Sequence, residues 1–147
     1  MDIRVYQESD IQDVVALWQE CGLVTPQNNP EKDIARKLQV DTDLFLVGTL
    51  KRNIAKVEDE QIVATVIAGY EGHRGWINYL AVKPAEQRKG FARTMMNAAE
   101  KLLLEKGCPK INLQIRASNK AVLAFYNAIG YGMDDVVSMG KRLIPDK

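Results

Sequence analysis

The stretch WINYLAVKPAEQRKGFARTMMNAAEKLLLEKG, residues 76–107, decides the fold because it contains three successive structural signals. Residues 76–82 form an apolar run after two glycines, which is typical of a strand that Pro84 then limits. Residues 83–89 predict a loop. From Ala92 onward, apolar residues recur at helical spacing as far as Gly107 and predict the longest helix of the chain. The segment is therefore a strand, a loop and a helix.

Shorter elements are predicted on both sides of this unit. Before it, the pattern predicts a strand at residues 3–5 and a helix from Ile11 to Gly22 that begins with a capping box of Ser9 and Gln12. A second helix is predicted with Asn29 as its N-cap and Pro30 in its first turn. A hairpin of two strands, 44–50 and 61–70, follows it. After it, the pattern predicts a strand at 111–115, a helix at 119–129 that Gly130 ends, and a final strand at 136–143. A mixed sheet flanked by helices follows from this order.

The composition is that of one globular domain over residues 1–147, with 46% hydrophobic residues and no internal repeat or linker. A net charge of +1 disfavours partners such as nucleic acid or an anionic membrane. The longest apolar stretch, residues 62–68, is too short to span a membrane, and the N-terminus lacks the features of a signal peptide, so we expect a cytoplasmic protein. One histidine and two widely separated cysteines predict no metal site.

The loop before the long helix carries the pattern Q-x-x-G-x-A, from Gln87 to Ala92. A loop of this kind can direct successive backbone N–H groups, together with the positive end of the helix, at a phosphate group. Gly90 would let the phosphate approach the backbone closely. Three basic side chains add positive charge at the same place: Arg88, Lys89 and Arg93. The same residues also fit an ordinary turn with a solvated basic face, and they match neither G-x-x-x-x-G-K-[ST] nor G-x-G-x-x-G.

Two blocks of sequence resemble a known family. Residues 79–84 (YLAVKP), the loop pattern, and a helix with Met95 and Ala99 resemble the acetyl-CoA motif of the GNAT superfamily of N-acetyltransferases. The pattern N-x-A-x-x-A-F-Y-x-x-x-G-Y, from Asn119 to Tyr131, resembles the C-terminal motif of that family. The blocks occur in the family's order, and the element order fits over essentially the whole chain. Within the family, the run GYEGHRG at residues 69–75 resembles a small bacterial group of acetyltransferases whose substrate is uncharacterised.

The resemblance implies a mixed, mostly antiparallel sheet with helices on both faces, and acetyl-CoA as cosubstrate without a metal. In the family, the strand before the loop pairs with the pantetheine arm of the cofactor, and the loop holds the pyrophosphate. The cofactor-binding residues implied here are Leu80, Ala81, Val82, Gln87, Arg88, Lys89, Gly90, Phe91, Ala92, Arg93, Asn119 and Tyr126. Asn119 also fits an N-cap of its helix.

The catalytic residues implied are an acid and a base. Tyr126 matches the family's frequent general acid, and a phenol of pKa near 10 is protonated at neutral pH and can donate to a leaving thiolate. Packing beside Phe125 is the alternative explanation for this tyrosine. The base is less evident, because residues 76–82 contain no carboxylate. Glu71 is the nearest acidic candidate and His73 the nearest group that titrates near neutrality, although both also fit solvated loop residues.

These features predict transfer of acetyl from acetyl-CoA to a primary amine of a small molecule or peptide, by direct attack. The alternative is a regulatory or interaction domain that binds acyl-CoA without turnover, which the missing carboxylate keeps open. Neither nucleic acid nor a membrane is an expected partner, and a homodimer is left open. The missing carboxylate favours an acceptor of low pKa: at pH 7 an α-amine is neutral about one time in ten, but a lysine-like amine only about 4 times in 10⁴.

Overall fold

Five strands and four helices lie within residues 1–55 and 57–146, the part of the chain that the computed structural model describes. In chain order they are β1 (Asp2–Val5), α1 (Ile11–Glu20), α2 (Pro30–Lys37), β2 (Phe45–Ile54), β3 (Val57–Tyr70), β4 (Gly75–Val82), α3 (Phe91–Glu105), β5 (Ile111–Asn112) and α4 (Lys120–Ala128). The predicted mixed α/β fold is confirmed. Across the described residues, no helix combines the length and apolar character that crossing a bilayer requires.

The strands form one sheet in the order β1-β2-β3-β4-β5. The first three pairings are antiparallel, and β4 pairs with β5 in parallel. The predicted hairpin of residues 44–50 and 61–70 is confirmed, although both strands continue further and pair as far as Ile54 and Val57. The sheet is thus mostly antiparallel, and its single parallel pair lies at the edge where the long helix returns the chain.

Helices cover both faces of the sheet, as predicted. Side chains of α1 and α2 pack with one set of strand residues: Val14, Trp18 and Ile34 with Phe45, Val47, Ile67 and Ala81. Side chains of α3 and α4 pack with the alternate set: Met95, Met96, Ala99 and Tyr126 with Leu46, Ala64, Val66, Ile77 and Val82. Because strand side chains alternate between faces, the three central strands β2, β3 and β4 contribute to both clusters. We call them the α1/α2 cluster and the α3/α4 cluster.

The start of α1 differs from the prediction. The Asn29 N-cap of α2 is confirmed, since its side chain accepts a hydrogen bond from Lys32 N at 3.1 Å. The capping box of Ser9 and Gln12, however, is wrong. A short 3₁₀ helix, Glu8–Asp10, precedes α1, and the Asp10 carboxylate accepts from Gln7 N at 2.8 Å. Asp10 also holds Arg4 of β1 at 2.7 Å, so a contact with the sheet fixes this helix start.

The C-terminal part of the prediction is also corrected. The strand expected at 111–115 is limited to Ile111–Asn112, and the strand expected at 136–143 does not form. A strand requires another strand to pair with. The C-terminal segment that contains Asp134 and Ser138 instead contacts the residues around β5 through side chains. Lys110 Nζ lies 3.0 Å from the Asp134 carboxylate, and Gln114 Nε2 donates to Ser138 Oγ.

Candidate active site

The loop between β4 and α3 presents free backbone donors to solvent. Gly90, the residue before α3, has φ +81°, and Arg88 has φ +66°. Thr94 N donates to Gly90 O at 3.0 Å, which begins the helical hydrogen bonding. Among the described residues, the backbone N–H groups of residues 88–93 have no hydrogen-bond partner. Six donors at the positive end of a helix form a site suited to an anion.

Gly90 has open space beside it as well as an unusual backbone conformation. A Cβ atom built there meets no other atom within 4 Å. A side chain at this position would therefore meet no steric obstacle, but it would strain the backbone, whose φ lies in the left-handed region. The role of Gly90 in the close approach of a phosphate stays a prediction.

The three basic residues predicted at this loop differ in their surroundings. Lys89 Nζ pairs with Glu86 Oε2 at 2.6 Å, and this contact lowers the pKa of the Glu86 carboxyl. Arg93 Nη2 donates to Ala128 O at 3.4 Å, which links α3 to the end of α4. The exposed Arg88 side chain has no partner among the described residues. Arg88 is thus the basic group most available to an added anion.

The strand before the loop offers an open edge. β4 pairs with β5 only at Gly75 and Trp76, so the remainder of β4, as far as Val82, has no strand partner on that side among the described residues. On its other side, the register with β3 shifts between Thr65 and Ile67. Tyr79, opposite this shift, has φ +50° and marks a bulge. The outer main-chain groups of β4 from Ile77 to Ala81 are therefore available to an extended amide ligand, whereas Val82 O already accepts from Gln87 Nε2.

The predicted residues of this strand face in two directions. Leu80 and Val82 belong to the α3/α4 cluster, together with Phe91 and Ala92 from the first turn of α3. Ala81 belongs to the α1/α2 cluster on the opposite face. Gln87 links strand and loop, because its Nε2 donates to Val82 O at 3.1 Å. The structure thus brings the predicted cofactor residues of β4 and α3 together, with Ala81 able to contribute only its backbone to that side.

Tyr126 of α4 lies in the same α3/α4 cluster. Its side chain is only 6% exposed, and it packs edge-on against Phe125 and Tyr131, with ring centroids 5.0 and 5.5 Å away. Its hydroxyl has no hydrogen-bond partner among the described residues and is not among the fully enclosed atoms. Burial raises the pKa of Tyr126 to about 12. The phenol is therefore protonated at neutral pH, with its proton free to be donated.

Asn119 is the N-cap of α4, with Oδ1 accepting from Val122 N at 3.2 Å. This geometry agrees with the structural alternative that the sequence left open for Asn119. The amide Nδ2 has no hydrogen-bond partner among the described residues, so the cap leaves a donor for a ligand.

The predicted base, Glu71, precedes the start of β4, at the opposite end of that strand from the loop at residues 87–92. It occupies the turn between β3 and β4, where its carboxylate accepts from the backbone N–H groups of Arg74 and His73. These hydrogen bonds lower the pKa of the Glu71 carboxyl. From Gly75 to Leu80, five residues of strand already extend about 17 Å. The role of Glu71 or His73 as base stays a prediction.

A polar network on the opposite face was not predicted. The Tyr79 hydroxyl donates to Asp33 Oδ2 and accepts from Asn28 Nδ2, both at 2.6 Å. Its ring stacks on Trp18 with centroids 3.8 Å apart. Burial, followed by the Asp33 carboxylate, raises the pKa of Tyr79. These residues come from β4, α1, α2 and the loop before α2, so only tertiary structure brings them together.

The open strand edge and the free N–H groups of the loop are features suited to an extended ligand that carries phosphate. A sequence model described as the acetyltransferase (GNAT) family matches residues 11–131. An acetyltransferase from Yersinia enterocolitica is 43% identical over 147 residues, covering 100% of this chain and 99% of the relative. The chain belongs to the GNAT family and is an acetyltransferase.

Solved structures of low sequence identity share the fold. The aminoglycoside N-acetyltransferase AAC(6')-Iy in complex with CoA has a TM-score of 0.71 and 14% identity, with 97% of this chain and 95% of that chain covered. The ribosomal-protein-S18-alanine N-acetyltransferase from Escherichia coli has a TM-score of 0.66 and 21% identity, with 88% and 76% covered. The fold is therefore that of GNAT acetyltransferases.

Proposed function

We propose that this acetyltransferase transfers the acetyl group of acetyl-CoA to a primary amine by direct attack. The observation that carries the proposal is the run of unpartnered backbone N–H groups at residues 88–93, at the start of α3. Several N–H groups converging at a helix N-terminus bind a phosphate ester without needing a metal. The unpaired Arg88 adds a positive charge beside them.

The described residues fit the rest of this cosubstrate. A pyrophosphate at the loop leaves the arm of the cosubstrate to run along β4, beginning at Val82. The arm is extended and carries amides, so it can pair with the free main chain of β4 as an added strand would. Leu80 and Val82 supply apolar contacts on the α3/α4 side. The amide of Asn119 is the remaining polar group proposed to contact the arm.

The reaction forms one bond and breaks another. The lone pair of the amine attacks the thioester carbonyl carbon, a C–N bond forms, and the C–S bond breaks as the thiolate leaves. Tyr126 donates its proton to the leaving sulfur, because its phenol is protonated and has no competing partner. The acylated nitrogen loses a proton to water.

The acceptor we propose is an amine of low pKa. The names of two structural neighbours specify an aminoglycoside and a protein alanine as acceptors, and both are amines. Strand β4 carries no carboxylate, and the Glu71 carboxylate accepts from the backbone of its own turn. An amine that is partly neutral at pH 7 needs only water for deprotonation.

The experiment that tests cosubstrate binding is a thermal shift with acetyl-CoA and two glycine variants. A ligand at a hundredfold excess over its dissociation constant stabilises the native state by about 2.7 kcal/mol. For a chain of this size, that free energy raises the Tm by roughly 5–10 °C. Gly90→Glu places a carboxylate in front of the loop N–H groups, so we expect it to abolish the shift.

Gly107→Glu is the matched control. Gly107 ends the same helix, has φ +86° against +81° for Gly90, and also has no atom within 4 Å of a built Cβ. Both variants therefore carry the same charge and a similar backbone strain, and both should lower the Tm of the free protein alike. Only Gly107→Glu should retain the acetyl-CoA shift. Equal shifts in both variants would remove the loop from the cosubstrate site, and a shift without turnover on any amine would contradict the transfer reaction.

A further inference from the structure

The segment after α4 is apolar, exposed and unpaired. Six of its side chains are at least two-thirds exposed: Met133 81%, Val136 76%, Val137 87%, Met139 92%, Leu143 83% and Ile144 67%. The last backbone hydrogen bond here is Tyr131 N to Tyr126 O, at 2.9 Å. Among the described residues, no backbone–backbone hydrogen bond involves residues 132–146. Such a segment offers both apolar side chains and a free main chain.

Both ends of the segment are fixed to the rest of the protein. At the start, the Asp134 carboxylate accepts from Lys110 Nζ and Asn112 Nδ2, at 3.0 and 2.8 Å. At the end, the buried Asp146 carboxylate accepts from Arg36 Nη2 at 2.7 Å and from Asn29 N at 3.0 Å. The apolar residues between these anchors are therefore held at the surface, rather than belonging to a freely moving tail.

The charges of the segment are complementary to a second copy of itself. Two acidic residues, Asp134 and Asp135, precede Ser138, and two basic residues, Lys141 and Arg142, follow it at the same spacing. If two copies pair antiparallel about Ser138, Asp135 of each lies opposite Lys141 of the other, and Asp134 opposite Arg142. Parallel pairing would instead place like charges opposite each other, which is destabilising.

The apolar residues agree with this register. Antiparallel pairing about Ser138 places Val137 of each copy opposite Met139 of the other. Residues directly opposite lie on one face of the pair, so Asp135, Val137, Met139 and Lys141 would form a single face of alternating ion pairs and apolar contacts. An interface of this type is isologous and closes at two copies.

We propose that residues 133–143 pair antiparallel with the same residues of a second copy and make the protein a homodimer. The main-chain hydrogen bonds of the pair satisfy backbone groups that the single chain leaves unpaired. The exposed apolar side chains become covered in the same step.

The test is the mass in solution, measured by light scattering on the full chain. We expect twice the 16.5 kDa of one chain. Asp135→Lys places two lysines opposite each other at both ends of the pair, and Lys141→Asp places two aspartates there, so each single variant should be monomeric. The double variant Asp135→Lys/Lys141→Asp restores opposite charges and should be dimeric again. Asp135 and Lys141 are exposed, so these changes should leave the fold and its circular dichroism unaltered.

Leu104→Lys is the control, because Leu104 is 73% exposed on α3, outside the segment. It should leave the dimer intact. A monomeric wild type would overturn the proposal. A dimer that survives both single charge variants would place the interface elsewhere, and failure of the double variant to restore it would reject the antiparallel register.

Discussion

Two tyrosines on opposite faces of the sheet are both buried, yet their hydroxyl groups have opposite surroundings. Tyr126, in the α3/α4 cluster, packs among aromatic and apolar side chains, and its hydroxyl has no partner among the described residues. Tyr79, in the α1/α2 cluster, donates its proton to Asp33 and accepts from Asn28. Burial raises the pKa of both phenols, but the proton of Tyr79 is already engaged with a carboxylate.

This difference in hydrogen bonding shows how the same type of side chain can serve catalysis at one position and structural stability at another. A hydroxyl with both of its hydrogen bonds made holds neighbouring segments in place, and here Tyr79 ties β4 to α2 and to the loop before α2. A hydroxyl without a partner contributes little to stability and keeps its proton for a substrate. We therefore expect changes at Tyr126 to affect turnover and changes at Tyr79 to affect stability.

The largest effect is expected for Tyr126→Phe. Loss of a positioned general acid lowers the turnover rate by about 10² to 10⁴, while the phenyl ring preserves packing and cosubstrate binding. Because the hydroxyl has no partner, the free energy of unfolding should change by less than about 0.5 kcal/mol. Steady-state kinetics and urea unfolding of the same preparation measure both quantities. Near-normal turnover would show that Tyr126 serves in packing beside Phe125, which is the alternative explanation that the sequence left open.

A smaller effect concerns the amine, which must lose a proton while Tyr126 supplies one. At pH 7 we expect an α-amine to exceed a matched alkyl amine in kcat/KM by about 10², because its neutral fraction is larger by that factor. At pH 9 the ratio should fall about tenfold. Glu71→Gln should leave both profiles unchanged, since that carboxylate accepts from its own turn and its pKa is lowered. Efficient use of the alkyl amine at pH 7, lost in Glu71→Gln, would establish Glu71 as the base.

The smallest effect on turnover is expected for Tyr79→Phe. The substitution keeps the ring that stacks on Trp18 but leaves the Asp33 carboxylate and the Asn28 amide each without one partner. The free energy of unfolding should fall by about 1–3 kcal/mol. We expect kcat/KM at saturating acetyl-CoA to change by less than about tenfold. A severe loss of turnover with unchanged stability would reverse the assignment of the two tyrosines.

Local patterns predicted most of the fold because they depend on neighbouring residues. The Asn29 cap before Pro30 and the end of α4 at Gly130 are such cases. The start of α1 was wrong because Arg4 of β1 binds Asp10, a contact with no local signal. The strand at 136–143 was wrong because alternation identifies an extended apolar segment but not an edge for it to pair with.

The residues of the candidate site also divide into those that local sequence motifs mark and those that only tertiary contacts bring together. The loop, β4 and Tyr126 could be found because motifs of adjacent residues mark them. The Tyr79 network could not, because its hydrogen bonds join residues 46 and 51 positions apart in sequence. Nothing in the sequence near Asn28 or Asp33 indicates a partner in β4.

The short pairing of β4 with β5 limits the length of any molecule that lies along the open edge of β4. The strands meet at Gly75, where a Cβ atom would come within 2.8 Å of Cys108 Sγ and 3.3 Å of Ile111, so no larger residue fits without moving that junction. Beyond the paired Gly75 and Trp76, the open main chain from Ile77 to Ala81 covers five residues, about 17 Å. A ligand anchored at the start of α3 can extend only that far before it meets the residues at which β4 pairs with β5, Gly75 and Trp76. The position of one glycine thereby limits the length of the chemical group that the protein can deliver.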